Sequence, residues 1–524
     1  MASHIANGTQ SKPHLVMVAM AAAVGAFLAL SQISVMAARI VKQRPVFVTL
    51  FTTVSFYERI VDELARNFDS NEQDARDRLR VVALPSKEGD FLDIDSLSEG
   101  FEVGYQDLVA ERPITCAKTG VQHAAISHPT TVVLDIFAHR ALTTARTHSK
   151  IPVKVYSFVV CSASAYHQHF GVASPNKNKN VRAFIQKEIE RTGKSSADLA
   201  VEVFFKHAKG DVLSIPGLPY MFDYEEYPQK LIMDEQFVAV FRMNATEVTD
   251  QCDGLLLATP HAFETPEILA SLSQYYDGEV YPVGPLLPTA SDASVLEKSK
   301  SKDTQEIDAL MTRVLESHGP QSLVYVSFGS HFWTAEPDKV WAFLDAIMER
   351  KLPFIFAHAS PFAEVPEAVK EKVKRYGLGL LSPWSPQQYI LTHPVVGWFV
   401  THCGFNSLLE SVSAGVPLIC WPFSADQPAN ALHTVVNLDI AYELFEVRTG
   451  EHGLKPVFRT GTAPTGTLDA VKAEAHRVFE LAFGSDGAKK REKVQILREK
   501  FARAWDVTDE GLARVALASF LDKL

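Results

Sequence analysis

The sequence predicts an α/β protein of two domains, each built on a parallel sheet. Three observations carry this. The chain has 524 residues, too many for one ordinary core. Its strand candidates are near-continuous apolar runs, as expected of strands buried on both faces. These runs alternate with stretches of helical period in two halves, separated by a polar segment.

Taken in order, Met1–Pro13 is polar and loose. His14–Met20 reads as the first strand, followed by a loop holding Gly25. A helix comes next, with Gln32, Arg39 and Lys42 on one face and Ile33, Met36, Ala37 and Ile40 on the other. The same run, 15–38, is long enough to cross a bilayer, so an N-terminal membrane anchor stands as the alternative. Pro45–Thr53, rich in β-branched and aromatic residues, is the second strand and Arg78–Leu84 the third. Thr130–Leu134 runs into Asp135, Val153–Val159 follows, Ile215–Pro219 is a turn-rich loop, and Gly254–Ala258 is the last clear strand of a first domain spanning 14–288. A solvated linker covers 289–304. The second domain, 305–505, opens with strand Ser322–Phe328 and the turn Gly329–Ser330, then helix Lys339–Arg350 and strand Pro353–Ala357. Leu468–Phe483 is helical, with Asp469 near Lys472 and Glu474 near Arg477 on its polar face. Residues 506–524 hold a last helix.

Composition narrows the function. A net charge of −11 without a Lys/Arg run excludes a nucleic-acid binder. Five scattered cysteines without a CxxC pair argue against zinc and for free thiols in a reducing, cytoplasmic setting. A monomer is expected.

The most informative stretch runs from Trp384 to Gln427. Val400 and Thr401 end an apolar run, His402-Cys403-Gly404 makes a turn, and Asn406 and Ser407 open a helix that runs through Ser413 and stops at Gly415. Such a helix entrance points free N–H groups outward and binds phosphate. Ser407 and Glu410 also spell a capping box, which would only satisfy the first turn. Both readings stand on these residues alone.

The longer spacing goes further. Trp384-x-Pro386-Gln387, His393, Gly397, Phe399, His402-Cys403-Gly404-x-Asn406-Ser407, Glu410, Gly415-x-Pro417, Pro422 and Asp426-Gln427 together resemble the donor-binding signature box of UDP-sugar-dependent glycosyltransferases. The stretches 254–267, 283–288, 324–330 and 426–431 are similar to further landmarks of that family, and 446–456 looks closest to its fungal members. The resemblance implies the inverting GT-B fold: two Rossmann-like domains with parallel sheets facing across a cleft, and a terminal helix that crosses back to the first domain. It implies transfer of a hexose, glucose by preference, from a UDP-sugar to a hydroxyl of a small lipophilic acceptor. The UDP-sugar is then a co-substrate, with no cofactor and no metal. The 32 Phe residues are compatible with an apolar acceptor pocket.

The resemblance also assigns roles. Trp384 is the platform for uracil. Gln387 and Glu410 meet the ribose. His402, Asn406 and Ser407, at the Gly404 turn and with Ser330 nearby, meet the diphosphate. Asp426 and Gln427 read the sugar hydroxyls. Phe405 departs from the Trp of plant members, which implies an altered sugar contact. Asp135 is similar to the family's Asp that orients a catalytic His; read alone, it is equally a helix N-cap.

That His is missing. Gly25 is followed by Ala26, and no His occurs between His14 and His123. Three explanations stay open: a nucleotide-sugar-binding protein or impaired transferase; another group, such as His123, His128 or His139, approaching Asp135; or Asp135 acting alone on acidic acceptors.

Overall fold

The computed structural model describes residues 12–19, 26–85, 94–170, 181–205, 208–230, 232, 234–288, 304–508 and 510–524. Residues 289–303 of the expected linker 289–304, most of the N-terminal segment and the stretch 20–25 expected as the loop after the first strand lie outside these residues; Thr304 is the first residue of a helix that runs to His318.

Seven strands build the first sheet: β1 (His14–Val18), β2 (Phe47–Thr53), β3 (Leu79–Leu84), β4 (Thr131–Asp135), β5 (Lys154–Val159), β6 (Gly254–Leu257) and β7 (Val280–Pro282). All pairs are parallel, in the order β7-β6-β5-β4-β1-β2-β3. The second sheet has six: β8 (Leu323–Ser327), β9 (Phe354–Ala357), β10 (Gly379–Ser382), β11 (Val396–Thr401), β12 (Leu418–Cys420) and β13 (Ala441–Glu443). Its order is β10-β9-β8-β11-β12-β13, again parallel. The strands expected from the sequence start or stop within a few residues of their observed bounds, because the apolar runs extend past the ladders they form, whereas the sequence does not single out the edge strands β7, β10 and β13.

Each sheet reverses its winding once, between β1 and β4 in the first and between β8 and β11 in the second. Ligands bind at the C-terminal ends of the strands flanking such a reversal. Asp135 ends β4, Gly329 and Ser330 follow β8, and His402 follows β11. Fold topology alone therefore gathers these residues at two facing positions.

Helix α1 (Ala26–Gln43) covers β1 and β2, with Leu30, Ile33, Met36, Ala37 and Ile40 buried. Its polar face does not meet water as a free amphipathic helix would. Gln32 is 4% exposed and reaches the second domain, and the Arg39 guanidinium lies 4.0 Å from the Trp505 ring centroid. The described residues of the run 15–38 thus belong to a core strand and a core helix. No helix among the described residues is long and apolar enough to cross a membrane.

The domains are joined on more than one side. Helix α5 (Leu512–Leu521), the last, packs on the first sheet. Phe520 is fully buried, edge-on to Tyr156 with ring centroids 5.0 Å apart and to Tyr281 at 5.7 Å. Elsewhere, residues 223–230 of the first domain grip 447–458 of the second. Tyr224 Oη donates to the Pro456 carbonyl at 2.7 Å, Gln229 Nε2 to the Val447 carbonyl at 3.1 Å, and the Thr449 N–H to the Pro228 carbonyl at 3.0 Å. Gly453 sits so close that an added Cβ would fall 2.3 Å from the Pro228 oxygen.

The polar face of Leu468–Ala482 differs from the sequence expectation. Lys472 pairs with Glu349 at 2.9 Å, and buried Glu474 accepts from the Phe445 and Glu446 N–H groups. The expected Glu474–Arg477 pair is kept at 3.6 Å, beside these longer-range partners of better geometry.

Replacing Phe520 by Ala removes a fully buried ring whose cavity the two tyrosines cannot fill. A loss of about 3–5 kcal/mol is expected in denaturant melts. A loss below about 1 kcal/mol would mean that this helix is not part of the first core.

Candidate active site

The site begins with a strained turn. Cys403 has φ +66°, unusual for a residue with a Cβ. Its N–H donates to Thr401 Oγ1 at 3.2 Å, and its Sγ lies 3.6 Å from the Thr401 carbonyl. Gly404 is the N-cap of helix α4 (Phe405–Ala414), and Gly415, at φ +75°, ends it in the left-handed region that favours glycine. The helix begins one residue earlier than the sequence suggests.

No capping box forms. The N-cap has no side-chain partner, and both capping candidates face elsewhere. Ser407 Oγ and Glu410 Oε2 accept from Gln387 Nε2 at 3.1 and 2.7 Å, while Glu410 Oε1 accepts from Gln388 Nε2 at 2.9 Å. Gln387 and Gln388 open helix α3 (Gln387–Thr392). The Phe405 N–H donates to Asp426 Oδ2 at 3.1 Å. Among the described residues, none accepts from the N–H groups of Asn406 or Ser407. These amides stand at the positive end of the α4 dipole, where an anion is favoured.

His402 is packed at the mouth of this turn. A Cβ at Gly404 would meet its Nε2 at 2.4 Å, and one at Gly329 would meet its Cε1 at 2.9 Å. Gly329 also needs its φ of +74° to turn the chain after β8. Burial lowers the His402 pKa to about 3, so the ring is neutral and offers a hydrogen bond, not a charge. Ser330 Oγ lies 2.8 Å from His331 Nδ1 beside it.

Of the remaining donor-box residues, Asp426 meets the entrance of α4 through the Phe405 N–H. Trp384 leaves 42% of its surface exposed, rare for an indole and suited to stacking. Asp426 Oδ2 also accepts from Asn430 Nδ2 at 2.7 Å, and burial raises its carboxyl to about 6. Gln427 Oε1 accepts from the Phe423 and Ser424 N–H groups at 2.8 and 3.2 Å, which leaves its NH2 as the other polar end. Phe405 departs from the sequence expectation. Its ring is 2% exposed and packs edge-on against Phe263, so its contribution to the site is the backbone N–H.

Across the cleft, Asp135 is 4% exposed. Its Oδ1 accepts from the Phe137 N–H at 2.9 Å, and burial raises its carboxyl to about 7. It is not a helix N-cap; Ala138 holds that position for His139–His148. Among the described residues, no histidine hydrogen-bonds to Asp135. His14 sits at the opposite end of β1, held by Thr49 Oγ1 and the Ser127 carbonyl and lowered to about 4 by burial. His123 pairs with Ile114, and His128 Nδ1 bonds the Pro129 carbonyl.

Several residues that sequence reasoning did not single out close the site. Gln32 Nε2 donates to Asn406 Oδ1, a bond from the first domain to the second. Asn430 Nδ2 donates to the Cys403 carbonyl at 2.9 Å and its Oδ1 accepts from Ser162 of the first domain at 2.7 Å. Arg66 Nη2 donates to Gln388 Oε1 at 2.6 Å. Asn430 stands inside the conspicuous run 426–431, which was its only sequence signal.

The chain is similar to known proteins. The family of UDP-glucoronosyl and UDP-glucosyl transferases matches residues 266–453. UDP-glycosyltransferase eriJ of Hericium erinaceus is 34% identical over 353 residues, 64% of this chain and 68% of that protein. The chain belongs to the UDP-glycosyltransferase family. UDP-glycosyltransferase 71B7 of Arabidopsis thaliana is 31% identical over 326 residues, 60% of this chain and 61% of that protein. Among solved structures, a Siraitia grosvenorii glycosyltransferase in complex with UDP superposes with a TM-score of 0.67 at 20% identity, covering 98% of this chain and 99% of that one. A Medicago truncatula relative complexed with UDP-glucose gives 0.65 at 18%, covering 98% of each. These structures share the GT-B fold with this UDP-glycosyltransferase.

The Asp135 carboxyl yields a pH prediction. Its folded pKa, about 7, lies above the unfolded value of 3.8, so the folded state holds the proton more tightly. The cost of burying the charge is absent below about pH 4, grows to pH 7 and is constant above. Asp135→Asn is therefore expected to gain stability over the wild type as pH rises, by about 4 kcal/mol at pH 8. Denaturant melts at pH 5 and 8 measure it; an equal offset at both would contradict the shift.

Proposed function

We propose that this glycosyltransferase moves glucose from UDP-glucose to an acidic hydroxyl, such as a phenol, on a small lipophilic acceptor, with inversion and without metal. One observation carries this reading: a donor box at one sheet's reversal stands opposite a buried carboxyl, raised to about 7, at the other's. Stacking on Trp384, ribose contacts at Gln387 and Glu410, and diphosphate contacts at His402, Asn406, Ser407, Ser330 and the Gly404 turn orient the donor. Asp426 and Gln427 present one free carboxylate oxygen and one NH2 group to the sugar. UDP and UDP-glucose, the ligands of the Siraitia and Medicago structures, support the donor assignment.

In the reaction, the acceptor oxygen attacks the anomeric carbon as its proton passes to Asp135. The bond between that carbon and the diphosphate oxygen breaks, and UDP leaves. The charge gathering on the leaving oxygens is met by the open N–H groups of α4. A carboxyl near 7 is a stronger base than an ordinary Asp, which suits it to phenols better than to alcohols.

The absence of a described His beside Asp135 favours a second reading, an impaired transferase that retains donor binding. A panel of phenols and alcohols with UDP-glucose and UDP-galactose, read by mass spectrometry, separates the two. Transfer to phenols alone, lost in Asp135→Asn with UDP affinity kept, is the expected outcome. No transfer with intact UDP binding, and gain of transfer in Ala26→His, would favour the second reading.

Donor binding has its own check. Trp384→Ala is expected to weaken UDP by ~1–3 kcal/mol through lost stacking. Unchanged affinity in calorimetry would remove Trp384 from the site.

A further inference from the structure

The cleft is bridged by a buried polar chain that the donor box does not account for. Helix α2 (Tyr57–Ala65) and the turn after it carry Glu63 and Arg66, which are 6% and 4% exposed. Arg66 Nη1 donates to Glu63 Oε2 at 2.9 Å, and Ser31 Oγ donates to the same oxygen at 3.2 Å. The other terminal guanidinium nitrogen, Nη2, bonds outside the first domain. It donates to Gln388 Oε1 at 2.6 Å, and the amide's other end donates to Glu410 Oε1 at 2.9 Å.

Stability does not explain this arrangement. Taking an Arg–Glu pair out of water costs about as much as its attraction returns, and an apolar pair of the same size would serve a core better. What the chain does supply is direction. Gln388 has one acceptor end and one donor end. With Arg66 donating into the oxygen, the NH2 must face Glu410. Glu410 then receives two fixed bonds, one on each oxygen, from Gln388 and Gln387. That fixes the carboxylate plane and leaves its remaining lone pairs for the paired hydroxyls of a ribose. Arg66 also opposes the rise that burial imposes on the Glu410 carboxyl, and so favours the ionised acceptor.

We propose that Arg66 is a positioning residue for donor recognition: acting from the acceptor-side domain through Gln388, it aims Glu410 at the ribose hydroxyls, so that the nucleotide's sugar is read only when the two domains are in register. This rests on Glu410 being the ribose partner.

The test compares calorimetric affinities for UDP and 2′,3′-dideoxy-UDP in the full-length protein. The wild type is expected to prefer UDP. Arg66→Met and Gln388→Ala are each expected to shrink that preference by about tenfold, the scale of one charge-assisted hydrogen bond, while affinity for the dideoxy nucleotide holds. The double variant is expected to lose no more than either single one, and Arg66→Lys to recover part of the preference. A structural role for Arg66 would lower both affinities together, and that result would overturn the proposal. So would an unchanged preference in Gln388→Ala, a milder change that leaves the Glu63–Arg66 pair in place. If the wild type itself does not distinguish the two nucleotides, it is the ribose role of Glu410 that fails.

Discussion

The proposed donor site depends on one constraint: a diphosphate there would meet no cation on the strand ends among the described residues. His402 is kept neutral by burial, and its neighbours Asn406 and Ser407 carry no charge. The compensation comes from the peptide backbone, through the open amides of one helix. For those amides to point into the cleft, Cys403 must adopt a left-handed conformation, and Gly329 and Gly404 must leave room for the imidazole. The costs of this turn, of order 1–3 kcal/mol for a strained residue, are borne by β11 and α4 packed behind it. A site of this kind tolerates little movement, because helix-end electrostatics fade within a turn.

This constraint explains why so many polar side chains cross from one domain to the other. Gln32 orients Asn406, Ser162 holds Asn430, and Arg66 holds Gln388. Each first-domain residue donates to the side-chain oxygen of a second-domain amide, and for Asn430 and Gln388 the NH2 end is held by acceptors of the second domain. Asp135 belongs to the same economy of burial. With no charged partner among the described residues, its carboxyl is held near neutrality by the apolar environment.

Much of this was legible in the sequence, and the reasons for the rest are physical. The donor box could be read because its residues are close in sequence and their spacing is set by one strand, one turn and one helix. Both parallel sheets followed from apolar runs. That Ser407 and Glu410 form no capping box could not be read from those two residues, because what engages them is Gln387, twenty residues earlier in the chain from Ser407. The polar face of α1 looked like a solvent face because a partner domain leaves no local signature. The bond between Arg66 and Gln388 spans 322 residues, and neither residue type is unusual where it stands.

The last helix has a practical consequence. Leu517, Phe520 and Leu521 are synthesised after every strand of the second sheet, yet they complete the core of the first. A nascent chain cannot finish its opening half until its final residues emerge. Chimaeras that exchange acceptor halves between relatives at the midpoint would leave a foreign helix on the recipient's β-sheet. The natural crossover is discontinuous, with the tail travelling alongside the N-terminal half.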